Sequence, residues 1–105
     1  MNEMPGFAVI YRWRLKPGLE DQFVKAWTRV TELYVEHRGG LGSRLHKGSD
    51  GIWVAYAQWP SAEVRDAAFS GEPLDPVARA SMREAVEESF DEIVLEPVVD
   101  RLVIT

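Results

Sequence analysis

The sequence predicts an α+β fold in which one antiparallel sheet carries a single layer of helices. Strand-like segments with apolar residues at period two lie at 7–15, 41–47, 51–59 and 98–104. Helical spacing occupies 19–37 and 61–92, so the order is strand, helix, strand, strand, helix, strand. That order is the split βαβ, ferredoxin-like arrangement. With 105 residues, 46% apolar and 28% charged, the chain suits one domain spanning 1–105 with a modest core.

The first strand runs Phe7 to Leu15, with Phe7, Val9, Tyr11, Trp13 and Leu15 on an apolar face and Ala8, Ile10, Arg12 and Arg14 on a mixed one. Arg12 and Arg14 suit either an anionic ligand or acidic neighbours. Pro17-Gly18 ends the strand. Leu19, Phe23, Ala26, Trp27, Val30, Leu33 and Tyr34 then predict a helix to about His37. Glu20 and Asp21 in its first turn and His37 and Arg38 in its last match the helix dipole, and Gly39-Gly40 stops it. Leu41 to Lys47 forms a second strand. Gly48-Ser49-Asp50-Gly51 reads as a hairpin loop, making the next strand its antiparallel neighbour.

That next strand is the most informative. Trp53, Ala55, Ala57 and Trp59 share one face, and Ile52, Val54, Tyr56 and Gln58 share the other. The Ile52 face suits covering by helices. The Trp53 face, large then small, small and large, leaves a shallow space that a flat ligand or other side chains would fill. Arg44 and His46, if they turn to this side, supply its polar groups. With one helical layer, the sheet face carrying Trp53 and Trp59 is expected to need a second copy of the chain as its cover.

Trp59-Pro60 closes the strand, and Ser61 caps a short helix to Phe69 with Glu63 and Asp66 near its positive end. Ser70 to Pro76 interrupts it. Val77 to about Glu92 is then predicted as a second helical segment, with Met82, Ala85, Val86, Ser89 and Ile93 on one face and an Arg83–Glu87 pair on another. A last strand is expected from Val98 to Ile104.

Composition restricts the function. Seventeen acidic against 12 basic residues, a net charge of −5 and no basic run argue against a nucleic-acid surface. The absence of cysteine removes disulfides, thiol nucleophiles and cysteine metal sites, and a cytoplasmic location is expected. The opening Met1 to Gly6 lacks the pattern of a signal peptide, and no apolar run reaches membrane-spanning length. Two histidines without HxH or HExxH spacing give no zinc signal, and Ser43 and Ser61 lack a nucleophile elbow.

Three stretches carry a resemblance: Arg12-Trp13-Arg14-Leu15-Lys16-Pro17-Gly18-Leu19-Glu20-Asp21-Gln22-Phe23, Gly40-Leu41-Gly42-Ser43-Arg44-Leu45, and Tyr56-Ala57-Gln58-Trp59-Pro60-Ser61. They resemble the antibiotic biosynthesis monooxygenase domain of the dimeric α/β-barrel group. The resemblance implies a homodimer whose sheets form a barrel, with a pocket between sheet and helices in each subunit. It implies oxidation of a phenolic or dihydroquinone aromatic by oxygen with no cofactor, metal or flavin, the substrate anion itself supplying the electron. On this reading Trp59 lies against the rings and Arg79 stabilises phenolate charge, with Trp53, Ala55, Ala57, Arg44 and His46 completing the pocket. Where some members carry a polar residue one pleat before the tryptophan, this chain has Ala55.

The heme-degrading branch resembles the chain in outline. It requires an iron-ligating histidine on the second helical region, whereas His37 and His46 both precede the third strand. Two readings stay open: a cofactor-independent monooxygenase, and a non-catalytic dimer that binds a small hydrophobic ligand. A third has the aromatics serving only as dimer packing.

Overall fold

The computed structural model describes residues 6–103. Residues 1–5, in which no export signal is expected, lie outside them, as does Ile104 at the end of the expected last strand. The described chain runs β1 (Phe7–Leu15), α1 (Glu20–His37), β2 (Ser43–Lys47), β3 (Trp53–Trp59), α2 (Ala62–Ser70), α3 (Pro76–Glu84), β4 (Val86–Ser89) and β5 (Ile93–Leu95). The sheet order is β2-β3-β1-β4, all pairings antiparallel, with β5 continuing along the edge of β1 beyond β4. This is the predicted ferredoxin-like α+β fold, with the second helical region split into α2 and α3 as expected. No described helix is long and apolar enough to cross a membrane.

Local chemistry explains most boundaries. Gly18, with φ of 86°, makes the turn that Pro17 begins, and its N–H donates to Glu20. The hairpin between β2 and β3 closes through Gly48 N–H to Ile52 O at 2.8 Å and Ile52 N–H to Asp50 Oδ1 at 3.0 Å. Ser61 caps α2 by accepting from Val64 N–H at 3.2 Å, as expected. Asp75 does the same for α3 from Ala78 N–H at 3.0 Å, with Pro76 in the first turn.

The sheet faces are the reverse of the expectation. Register pairs Val9 with Ala57, Tyr11 with Ala55 and Trp13 with Trp53, so the apolar face of β1 and the tryptophan face of β3 are one surface. The helices cover that surface. Phe23 of α1, fully buried, packs against Trp13 and Trp53 with ring centroids 5.1 and 6.4 Å away. Ala55 and Ala57, both buried, lack the bulk that would hold a helix off. Val54, Tyr56 and Gln58 therefore lie on the outer face, so a second copy is not what covers Trp53 and Trp59.

The stretch read as one helix through Glu92 ends at Glu84. Lys16 N–H bonds to Ala85 O at 2.8 Å, which ties the buried Ala85 to the end of β1. From there the chain can only run back along that strand, and it forms β4 and β5. Glu87 consequently sits on a strand, and the expected Arg83–Glu87 helical pair does not form; Glu84 instead accepts from Gln22 of α1 at 3.0 Å. β4 and β5 also fill the edge that the expected last strand would join. Residues 98–103 accordingly form no strand, and Val98, Val99, Leu102 and Val103 are exposed.

Candidate functional site: an aromatic cavity between sheet and helices

A cavity of about 190 Å³, partly open to solvent, lies between the helical layer and the inner face of the sheet. Its walls are mostly aromatic. β1 contributes Tyr11 and Trp13, and β3 contributes Ala57 and Trp59. From α1 come Trp27 and Tyr34, about two turns apart on one face. Phe69 closes the α2 side.

These rings brace one another. Trp59 is 4% exposed and meets Tyr34 and Phe69 edge to face at 5.9 and 5.8 Å. Tyr34 and Phe69 are 5.3 Å apart, and Tyr11 stacks on Trp13 at 6.2 Å. The loop after α1 passes close by. A Cβ at Gly40 would stand 3.4 Å from the Tyr34 backbone and 3.5 Å from the Trp59 ring, so glycine keeps this rim thin.

Charge enters from one side. Arg79 and Arg83, one turn apart on α3, line the cavity, Arg79 half-buried and Arg83 exposed. Among the described residues neither forms an ion pair. Two uncommitted guanidiniums beside apolar rings suit an aromatic anion. Ser43 also lines the cavity, but its hydroxyl donates to Tyr56 O at 2.9 Å.

Among the residues lining the cavity, Tyr11 has a titration changed by this setting. Burial pushes its phenol above the ordinary tyrosine value, partly opposed by the bond and charge of Arg65. For Arg65, burial works against the charge, yet bonds to Glu92, Tyr11 and Asp66 outweigh it and hold the guanidinium more firmly protonated than usual.

Of the site residues predicted from sequence, Trp59, Arg79 and Ala57 line the cavity. Trp53 faces the helices but packs on Phe23 at the opposite end of β3 from Trp59, and Ala55, buried across the strand pair from Tyr11, does not line the space. Arg44 and His46 pair in register with Tyr56 and Val54, which places both on the outer face, away from the cavity. His37 is exposed beside Glu36. Among the described residues, no three His, Asp or Glu side chains gather in a metal-holding group. Arg12 and Arg14 also face outward, Arg12 donating to Asp91 O at 3.2 Å and Arg14 pairing with Glu88 at 3.5 Å. Sequence reasoning missed Tyr11, Tyr34, Phe69 and Arg83. Arg83 had a readable signal, its i+4 spacing from Arg79.

The fold has many solved counterparts. SnoaB, a cofactor-independent oxygenase from Streptomyces nogalater, superposes with a TM-score of 0.75 at 13% identity, over 93% of this chain and 98% of its own. A Bordetella bronchiseptica protein described as a candidate antibiotic biosynthesis monooxygenase gives 0.77 at 17%, over 91% and 100%. Rv0793 from Mycobacterium tuberculosis gives 0.72 at 18%, over 91% and 98%. At such identities these likenesses establish the fold and nothing finer. No curated protein matches the chain. The sequence profile described as antibiotic biosynthesis monooxygenase, however, matches residues 6–73, well over half the chain including β1, α1, β2, β3 and α2, and the chain belongs to that family.

Proposed function

We propose that this protein is a cofactor-independent monooxygenase acting on a phenol or quinol of one or two rings. The observation that supports this most is the pairing of an aromatic-walled cavity with two uncommitted arginines on α3. Size refines the class expected from sequence. At about 190 Å³ the cavity is somewhat larger than an engineered cavity of about 150 Å³ that holds benzene, so it encloses one or two rings and leaves any further ring outside.

The chemistry asks little of the protein beyond binding, charge stabilisation and shelter. A phenol with a free para carbon and one oxygen molecule give a quinone and one water, with no other reductant. Arg79, with Arg83 at the rim, favours the phenolate over the phenol. The phenolate passes one electron to oxygen, and the resulting radical and superoxide join at the para carbon. Loss of the para proton and cleavage of the O–O bond then release water and leave the second carbonyl. Trp59, Tyr34 and Phe69 hold the ring flat and keep solvent from the intermediate.

Incubation of 1-naphthol with the protein under ¹⁸O₂ tests this. The expected product is 1,4-naphthoquinone carrying a single label, formed faster than without protein. Unlabelled quinone, or no protein-dependent quinone, contradicts it.

We further propose that the protein is a homodimer. Ile10, Val54 and Tyr56 lie on the outer face of the sheet, which no described helix covers, and this face rather than the tryptophan face is the proposed contact.

A further inference from the structure

Tyr11 lines the cavity and is held from α2. Its hydroxyl accepts from Nη1 of Arg65 at 3.3 Å. Arg65 lies on α2 with its side chain only 11% exposed, and each of its nitrogens is committed. Glu92 takes Nη1 and Nη2 as a two-pronged pair, both at 3.0 Å, and Asp66 takes Nε at 2.8 Å. The Phe7 and Phe69 rings flank the guanidinium at 5.3 and 5.4 Å.

A guanidinium has donors and no acceptor, so the Tyr11 oxygen can only accept from it. The indole N–H of Trp59, buried without a well-formed bond among the described residues, also leans toward that oxygen. The phenolic hydrogen is therefore left to donate elsewhere. Among the described residues no acceptor takes it. Tyr11 lines the cavity, and Ala55, directly across the β1–β3 pair, has no side chain long enough to cover it.

We infer that Tyr11 donates this hydrogen to an oxygen of the bound aromatic, and that Arg65 acts as the positioning residue that fixes the donor's direction. The cavity then has two polar poles, a neutral donor on the sheet side and the arginines on α3. A ring bearing two oxygen substituents satisfies both. This rests on the proposed function for the occupant's class, but it concerns binding alone. Burial keeps the Tyr11 phenol protonated, and so a donor, through the neutral range.

The test uses two uncharged ligands that differ only in a carbonyl, 1-tetralone and tetralin, with affinity read from tryptophan fluorescence. Wild-type protein is expected to prefer the ketone. Tyr11→Phe is expected to lose about fivefold to tenfold for the ketone and to change the hydrocarbon by less than about twofold. Arg65→Gln is expected to lower the ketone preference while Arg65→Lys restores part of it, a selectivity that a purely structural role would leave unchanged. Equal losses for both ligands in Tyr11→Phe, or no loss, overturn the inference, as does a wild type with no ketone preference. Because tetralone binding involves no oxygen chemistry, the result is independent of whether the protein turns over any phenol.

Discussion

Tyr34 of α1 and Trp59 of β3 meet edge to face with centroids 5.9 Å apart and planes at 65°. This contact joins the helical layer to the sheet at the wall of the cavity. Trp59 thus packs in the core and lines the cavity at once. Trp59→Ala removes a nearly buried indole and is expected to cost about 3–5 kcal/mol in urea unfolding. Trp59→Phe keeps a ring there and is expected to recover most of the stability. A Trp59→Ala protein as stable as wild type shows that the ring is not part of the core.

Arg79 is expected to act on charge rather than shape. Arg79→Gln should weaken binding of 1-naphtholate by about tenfold or more while leaving tetralin nearly unchanged, since hydrogen bonds to charged groups exceed neutral ones. Fluorescence titration at alkaline pH measures both. An equal loss for the two ligands shows that Arg79 only supports the fold.

Tyr11 gives a pH signature of defined sign. Its folded pKa lies above the ordinary value of about 10, so its contribution to stability is complete below about pH 10 and is lost as pH rises through the folded value. Unfolding free energy measured across this alkaline range should fall more in wild type than in Tyr11→Phe. Identical profiles show that the phenol titrates alike in both states.

Ser61 holds the start of α2, the helix that carries Arg65 and Phe69. Ser61→Ala is expected to cost about 1 kcal/mol of stability, and Ser61→Asp to restore it. Equal stability of all three contradicts a capping role.

The outer sheet face gives a prediction about size. Light scattering should report twice the 11.9 kDa chain mass, and a charge placed there by Val54→Glu should shift the population toward the monomer. A monomeric wild type at micromolar concentration contradicts the dimer.

Much of this architecture is legible in the residues. Alternation in β1 and β3, the helical repeat of α1 and the serine cap of α2 are local signals, and they place Trp59 and Ala57 on one face of β3. Which face of β3 meets the helices is a different matter. It depends on the register that sets Trp13 opposite Trp53, and on Phe23 reaching between them, neither of which is local. The same holds for β4 and β5. Ala85 and Val86 fit a helical stripe as well as a strand, and the bond from Lys16 to Ala85 decides between them. The tie between Tyr11 and Arg65 spans 54 positions, and no spacing rule reports it.

Oxygen consumption tests the central claim most directly: metal-stripped protein with 1-naphthol and a set of hydroxylated naphthalenes, with Trp59→Ala and Arg79→Ala alongside. The account predicts protein-dependent uptake of one oxygen per naphthol oxidised, reduced in both variants. Uptake that never exceeds the protein-free rate, with phenols that still quench tryptophan fluorescence, would contradict it and identify the cavity as a binding site without oxygen chemistry.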